Sequence, residues 1–263
     1  MHIITILTDF GLKDPYAGVM KGVILSINPE ARIVDITHEI EPQDVREACF
    51  LVPEYYPYFP RGTVHLCVVD PTVGSRRRPL VVVADNHFFV GPDNGLFSLI
   101  GDGRAEAYTI ENRDYMLPAI SPTFHGRDIF APVAAHLSCG LDPSLLGRRI
   151  EDPVRLTDLF PRKGGDDMVG SVVRFDRFGN AISNISAEDL LAFTGSTRYV
   201  IEIAGLSFTS LVGGYYEADF TCLIGSSGYL EFGYFKGSFA AKTGTKKGGE
   251  VVVRRCEAMG NEG

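Results

Sequence analysis

Short apolar segments alternate with segments of helical periodicity up to about residue 150, and this alternation constrains the fold more than any other feature. The apolar segments end at turn residues and predict buried strands at 2–8, 32–36, 63–69, 80–84 and, after a turn, 88–90. The segments between and after them predict helices at 15–28, 42–58 and 128–139. Strands that alternate with helices predict an α/β N-terminal domain with a largely parallel sheet.

The pattern changes after Ile150, where prolines, charges and a Gly-Gly pair replace the apolar segments. We place the α/β domain at 1–155, a linker at 156–166 and a second domain at 167–263. Short strand-like segments separated by turn residues predict a smaller all-β barrel domain there. Its expected strands are 168–175, 198–204, 206–210, 219–224, 229–235 and 250–255.

Composition and charge narrow the function classes. The 263 residues include 25 Lys and Arg against 33 Asp and Glu, a net charge of −8, which argues against a nucleic-acid partner. No apolar run reaches the roughly 18 residues that cross a bilayer, and no signal-peptide pattern is present, so we expect no membrane segment and a cytoplasmic location. The five cysteines lack the spacing of metal ligands and predict buried, reduced thiols and no metal site.

Aspartates follow two of the predicted strands directly. Asp9 follows the strand at 2–8, and Asp70 follows the strand at 63–69. The carboxyl ends of parallel strands form the ligand-binding edge of α/β sheets, so the two carboxylates predict a polar pocket. The alternative is that each aspartate only caps a turn or a helix.

A histidine and a run of arginines add to the candidates in this domain. His125 lies in a polar loop beside Gly126, where the backbone can approach a ligand closely. Arg77 lies among three successive arginines, one of which could pair with Asp70 through two parallel hydrogen bonds. The alternatives are a structural histidine and a solvated basic turn.

The second domain carries a five-residue segment that combines a carboxylate (Asp176), an aromatic ring (Phe178) and an amide (Asn180). A ring can stack on a base, and an Asn amide can bind an adenine edge through two hydrogen bonds. A Gly-Asn hairpin turn beside a core phenylalanine is the alternative. Ser226 lies in a turn before a predicted strand, where its hydroxyl could hold a ligand carboxylate.

Phosphate-binding loops, dinucleotide fingerprints and nucleophile elbows are absent from the sequence, which argues against phosphoryl transfer, nicotinamide chemistry and serine hydrolysis. In their order along the chain, the motifs present resemble the S-adenosylmethionine hydrolase family, also called hydroxide adenosyltransferases, which is related to the fluorinase and chlorinase enzymes. The segments that carry the resemblance are Thr8-Asp9-Phe10-Gly11 with Asp14, Met20-Lys21-Gly22, Pro42-Gln43-Asp44-Val45, Val69-Asp70-Pro71, Gly91 to Leu96, Pro122 to Asp128, Asp176 to Asn180 and Ser226 to Glu231.

The resemblance implies an activity and an assembly. Water or hydroxide attacks C5′ of S-adenosylmethionine in this family and releases adenosine and methionine, with no metal or other cofactor. The family's fold is an N-terminal α/β domain followed by a C-terminal β-barrel. Its members form homotrimers with active sites between the N-terminal domain of one subunit and the C-terminal domain of the next.

The resemblance also implies roles for individual residues. The family's water-activating triad corresponds to Asp70, Arg77 and His125. The substrate contacts are implied to be Asp9 at the ribose, Phe178 and Asn180 at the adenine, and Asp176 and Ser226 at the ammonium and carboxylate of the methionine portion.

Three other functions stay open at this point. The halogenase relatives carry a tyrosine at the position of Asp70, and because a carboxylate repels a halide, a halide-dependent adenosyltransferase is disfavoured. A protein that binds S-adenosylmethionine or adenosine without turnover is the second alternative. A nucleoside N-glycosidase is the most remote, because such enzymes use a calcium-binding aspartate cluster and the aspartates here are scattered.

Overall fold

The computed structural model describes residues 3–101 and 103–256, and the chain divides into two compact units that meet between Leu156 and Thr157. The strands of the first unit are β1 (Ile3–Thr8), β2 (Arg32–Thr37), β3 (Val64–Val68), β4 (Pro79–Ala84), β5 (His87–Pro92), β6 (Glu106–Thr109) and β7 (Arg149–Ile150). Its α-helices are α1 (Tyr16–Ile27), α2 (Val45–Tyr55) and α3 (Ala131–Ser138).

The first unit is built on a mixed sheet with the strand order β2-β1-β3-β5-β4-β6-β7. The strands β2, β1, β3 and β5 are parallel, as predicted, whereas β4, β6 and β7 pair antiparallel. The prediction of a largely parallel sheet is therefore only half correct. The two-residue turn between β4 and β5 explains the reversal. Asp85 and Asn86 both have positive φ, 52° and 63°, as in the tight turns that join antiparallel strands.

The two faces of this sheet carry separate hydrophobic cores. Ile4 and Ile6 of β1 point to the face covered by α1 and α3, where Met20 and Ile24 pack on them. Leu7 points to the opposite face, where the core includes residues of α2. The period-two alternation of side chains along a strand therefore produces two cores from one apolar segment.

Helix boundaries follow local backbone chemistry. Helix α1 agrees with the prediction within one residue at each end. Helix α2 begins at Val45 rather than at Pro42, because Gln43 has a φ of 71° and Asp44 caps the helix by accepting a hydrogen bond from the Glu47 amide at 2.8 Å. A 3₁₀ turn at Tyr56–Tyr58 completes the predicted helical segment. The predicted helix at 128–139 is a π-helical turn at Gly126–Phe130 that continues into α3.

The second unit is a barrel-like antiparallel sheet with the strand order β12-β11-β15-β9-β10-β14-β13, to which β8 adds by pairing with β9. Its strands are β8 (Arg162–Gly164), β9 (Asp167–Phe175), β10 (Ala181–Ser186), β11 (Tyr199–Ile203), β12 (Leu206–Phe208), β13 (Phe220–Ile224), β14 (Tyr229–Tyr234) and β15 (Glu250–Arg255). Two short helices, α4 (Ala187–Thr194) and α5 (Phe239–Thr243), were not expected in an all-β domain.

Strand β10 was missed because it contains buried polar residues. Ser183 and Asn184 lie in its middle and are almost fully buried. Asn184 accepts a hydrogen bond from the Ser171 amide at 2.7 Å and donates to the Leu159 carbonyl at 3.1 Å. Because these partners are distant in sequence, the local sequence alone predicts a polar loop for this segment.

Three further expectations have different outcomes. The predicted domain and linker limits stay a prediction, and β8 lies inside the proposed linker. All five cysteines are free, but Cys139 is exposed and Cys256 is half-buried, so the expectation of buried thiols is wrong for these two. None of the helices in residues 3–101 and 103–256 is long and apolar enough to cross a membrane.

A buried histidine in β3 provides a test of this fold. His65 contacts the Thr5 hydroxyl through Nδ1 at 2.8 Å and His87 Nδ1 through Nε2 at 3.0 Å. Burial, together with His87, lowers the pKa of His65 to about 3. In the unfolded chain the pKa is about 6.5, so below that pH the unfolded state binds a proton that the folded state does not.

As the pH is lowered, we expect the free energy of unfolding to decrease less steeply in a His65→Gln variant than in the wild type. His65 contributes a slope of about 1.4 kcal/mol per pH unit between its unfolded and folded pKa values, and the variant removes it. Urea unfolding between about pH 7 and pH 4.5 measures the difference. Parallel pH profiles for the two proteins would show that His65 titrates normally in the fold.

Candidate active site

The carboxyl ends of β1 and β3 form one side of a cleft in the first unit. Asp9 follows β1 directly, and Asp70 lies two residues beyond β3. Both side chains line a cleft of about 620 Å³, together with His125. The edge of the sheet predicted from the strand-end aspartates is therefore where these three residues meet.

Asp70 and Arg77 form a nearly buried ion pair. Arg77 Nε lies 3.0 Å from each carboxylate oxygen of Asp70, and Arg77 Nη2 donates a further short hydrogen bond to Oδ2. Both side chains are only 6% exposed, and the guanidinium carbon lies 5.2 Å from the centre of the Phe130 ring. Of the three successive arginines, Arg77 is the one that pairs with Asp70, in a geometry that fixes both groups.

Arg77 also determines which ring nitrogen of His125 carries the proton. Its Nη2 lies 2.8 Å from His125 Nδ1. A guanidinium has only donors, so Nδ1 accepts the hydrogen bond and the neutral ring carries its proton on Nε2. Burial, and after it the charge of Arg77, lowers the pKa of His125. The ring is therefore neutral near pH 7, with Nε2–H as a hydrogen-bond donor.

Two glycines allow the loops of the cleft to approach closely. Gly74 has a φ of 78°, and a Cβ atom there would lie 2.2 Å from the Pro122 carbonyl oxygen. Gly126 is less restricted, since a Cβ atom there would lie 3.2 Å from Met20 Sδ and 3.3 Å from a ring carbon of Phe124. The contact at Gly74 joins the loop that carries Asp70 to the loop that carries His125.

Gln43 holds Asp9 in place. The backbone amide of Gln43 donates a hydrogen bond to Asp9 Oδ2 at 2.8 Å, and Gln43 also lines the cleft. Burial raises the pKa of Asp9, and the hydrogen bond from Gln43 opposes that effect. Gln43 was not among the predicted site residues, although its segment carries part of the family resemblance. Its position in a Pro-Gln-Asp segment before a helix was the only local signal.

Three aromatic rings from separate segments also line the cleft. Phe10, Tyr16 and Phe124 meet edge to face, with ring centroids 5.3 to 6.0 Å apart. The Arg127 guanidinium lies over the Phe124 ring at 5.2 Å. Sequence reasoning missed this cluster because each aromatic residue stands alone in the sequence. Together they form an apolar part of the cleft lining.

The candidates of the second unit divide between two turns. Asp176 Oδ1 accepts hydrogen bonds from the amides of Phe178 and Asn180 at 2.9 and 2.8 Å, and Oδ2 accepts one from Asn180 Nδ2 at 2.9 Å. Asp176 thus closes the turn between β9 and β10. Phe178 is 76% exposed, so the alternative of a core phenylalanine is wrong.

Ser226 lies exposed in the turn between β13 and β14. Beside this turn lies a buried carboxylate, Glu231, which was assigned no role from the sequence and accepts a short hydrogen bond from the Tyr215 hydroxyl. Burial and Glu231 raise the pKa of Tyr215. A Cβ atom at Gly225 would lie 2.1 Å from Glu231 Oε2, so a larger residue there would require the Glu231 carboxylate to move.

The structure therefore brings Asp9, Asp70 and His125 to one cleft, with Arg77 hydrogen-bonded to the last two. Asp176, Phe178 and Asn180 share one turn of the second unit, and Ser226 lies in another. Among the described residues, no group of three or more His, Cys, Asp and Glu side chains is arranged to hold a metal ion.

Comparison with known proteins gives consistent matches along the chain. Residues 4–147 match the SAM hydroxide adenosyltransferase N-terminal domain, and residues 170–252 match the C-terminal domain of the same family. A Thermus thermophilus protein named (R)-S-adenosyl-L-methionine hydrolase is 38% identical over 259 residues, 94% of this chain and 98% of that protein. A fluorinase from Nocardia brasiliensis is more distant, at 29% identity over 96% of each chain.

One solved structure has the same fold over almost the whole chain. It is the crystal structure of an uncharacterized conserved protein from Thermotoga maritima, which is 36% identical to this chain. The TM-score is 0.86, and the match covers 96% of this chain and 100% of the Thermotoga maritima chain.

We expect Gly74→Ala to destabilise the protein more than Gly62→Ala. Gly62 also has a positive φ, 84°, but its added Cβ would meet no atom within 4 Å. Both variants place alanine in a left-handed conformation, at a cost of about 1–3 kcal/mol, and only Gly74→Ala adds the collision with Pro122. Chemical denaturation of the two variants measures the difference. Equal losses of stability would show that the two loops do not pack as described.

Proposed function

This chain belongs to the SAM hydroxide adenosyltransferase family, as its motifs predict, and we propose that it hydrolyses (R)-S-adenosyl-L-methionine to adenosine and L-methionine. The observation that carries the proposal is the hydrogen-bonded chain Asp70–Arg77–His125, whose two end residues line the cleft. The epimer is the one for which the Thermus thermophilus relative is named.

The proposed reaction is a displacement at C5′. The oxygen of a water molecule forms a bond to C5′, the C5′–S bond breaks, and its electron pair stays on sulfur, which becomes the thioether of methionine. The water loses one proton. Because a sulfonium leaves without protonation, the protein's task is to position the water and to accept that proton.

His125 and Asp70 divide these two tasks in the proposed mechanism. His125 Nε2–H donates a hydrogen bond to the water oxygen, while its Nδ1 is occupied by Arg77. Asp70 accepts the proton. A carboxylate paired with arginine is a weak base, but the attacking oxygen becomes strongly acidic as its bond to C5′ forms, so a weak base suffices.

The remaining roles follow the family's residues. Asp9 binds the ribose hydroxyls from the end of β1. In the second unit, Phe178 stacks on the adenine, Asn180 binds its edge, and Asp176 and Ser226 bind the ammonium and carboxylate of the methionine portion. The exposure of the Phe178 ring supports a stacking role. We further predict that the protein needs no cofactor, binds neither nucleic acid nor a membrane, and is located in the cytoplasm.

We expect the oxygen of the new 5′-hydroxyl to come from water. The purified protein is incubated with each sulfur epimer of S-adenosyl-L-methionine in ¹⁸O-water, and adenosine is analysed by mass spectrometry. Label is expected in adenosine formed from the (R) epimer. Asp70→Asn keeps the shape of the side chain and removes its charge, and we expect kcat to fall about 10²–10⁴-fold.

Three results would contradict the proposal. Ligand that is bound but unchanged after long incubation would favour a binding protein without turnover. Release of ribose in place of intact adenosine would favour a nucleoside N-glycosidase. A requirement for added halide would favour the halogenase reaction.

We also propose a homotrimer whose active sites each combine the first unit of one subunit with the second unit of the next. Coexpression of a His125→Ala chain with an Asn180→Ala chain tests this arrangement. Random assembly leaves about one quarter of such sites with both residues intact, so activity well above that of either variant is expected. A mixture no more active than its parents would show that each site is built from a single chain.

A further inference from the structure

The dipeptide Asp93-Asn94 follows β5, and β5 lies between β3 and β4 in the sheet. The chain leaving β3 leads to Asp70, and the chain entering β4 comes from Arg77. The end of β5 therefore lies between the backbone segments that carry the two members of the ion pair. The dipeptide is part of a motif that the sequence singled out, but it is not among the residues that line the cleft.

Asn94 contacts the segment that carries Asp70. Its Nδ2 donates a hydrogen bond to the Val69 carbonyl at 2.8 Å, and its Oδ1 accepts one from the Leu96 amide at 3.2 Å. Val69 immediately precedes Asp70 and is fully buried. The amide of Asn94 thus fixes the peptide unit that joins Val69 to Asp70.

Asp93 contacts the segment that carries Arg77. Its backbone amide donates to the Arg78 carbonyl at 2.9 Å, and its Oδ2 accepts from Arg78 Nε at 2.7 Å. Its Oδ1 accepts from the Val154 amide at 2.7 Å, and the side chain is 2% exposed. Arg78 immediately follows Arg77, so Asp93 fixes the backbone on the other side of the ion pair.

We propose that Asp93 and Asn94 are positioning residues, which hold Asp70 and Arg77 in register with each other and with His125. The proposal rests on the hydrolysis proposed above. The two residues act through their neighbours in the chain and contact no reacting atom. A displacement of about 1 Å at a reacting group can cost about 100-fold in rate, so the loss of one backbone contact is expected to affect catalysis more than binding.

Asn112 provides a matched control. Its Nδ2 donates to the Leu145 carbonyl at 3.0 Å, and its Oδ1 accepts from the Asp114 amide at 3.0 Å. Asn94 makes the same two kinds of contact, one to a distant carbonyl and one to the amide two residues ahead. Asn112 does not line the cleft. Asn94→Leu and Asn112→Leu therefore remove equivalent hydrogen bonds and leave the net charge unchanged.

The first readout is steady-state kinetics with (R)-S-adenosyl-L-methionine. For Asn94→Leu we expect kcat to fall about 10- to 100-fold with KM within about threefold of the wild type. Asn112→Leu is expected to keep the kcat of the wild type. Melting temperatures of the two variants show whether their losses of stability are similar.

The second readout needs no substrate. The proton NMR titration of His125, assigned with a His125→Ala variant, responds to the burial of the ring and to the nearby charge of Arg77. In Asn94→Leu we expect the midpoint to move up towards the ordinary value of about 6.5, because the guanidinium is no longer held against Nδ1. In Asn112→Leu the midpoint is expected to stay where it is in the wild type.

The two readouts separate the two proposals. A shifted His125 midpoint in a protein that never hydrolyses the substrate would overturn the function and leave the positioning role standing. An active wild type in which Asn94→Leu leaves either kcat or the midpoint unchanged would overturn the positioning role. If Asn94→Leu does not fold, Arg78→Gln replaces it. This variant removes the contact between Arg78 and Asp93 by changing the more exposed partner, and its kcat and His125 midpoint are measured in the same way.

Discussion

The site depends on the ion pair between Asp70 and Arg77. Two nearly buried charges are stable only when they are paired and hydrogen-bonded, and here the guanidinium contacts both carboxylate oxygens. The same guanidinium also contacts His125, and because it offers only donors, it selects the form of the ring in which Nε2 carries the proton. One interaction therefore fixes an acceptor and a donor on one wall of the cleft.

The topology of the sheet explains how residues far apart in sequence meet there. Strand β5 is inserted between β3 and β4, and the tight turn at Asp85-Asn86 reverses the chain. The loop from β3 to β4 consequently starts and finishes beside the end of β5. Asp93-Asn94, at that end, contacts both sides of the loop. Gly74 lets the middle of the loop approach the segment that carries His125.

Much of the fold and part of the site follow from the sequence. Apolar runs that end in aspartate placed Asp9 and Asp70 at one edge, and periodicity predicted α1 almost to the residue. Features that depend on distant partners did not follow. The polar residues of β10 are buried against other segments, Gln43 acts through its backbone, and the tautomer of His125 depends on a contact across 48 positions of the chain.

The most direct test of this account is the tautomer of His125 in the resting protein. A ¹⁵N NMR spectrum of histidine-labelled protein at neutral pH distinguishes a protonated ring nitrogen from an unprotonated one. The account predicts a neutral His125 with its proton on Nε2 and a bare Nδ1. A proton on Nδ1 would contradict it, because Arg77 would then have no acceptor on the ring and His125 would be free to act as the base.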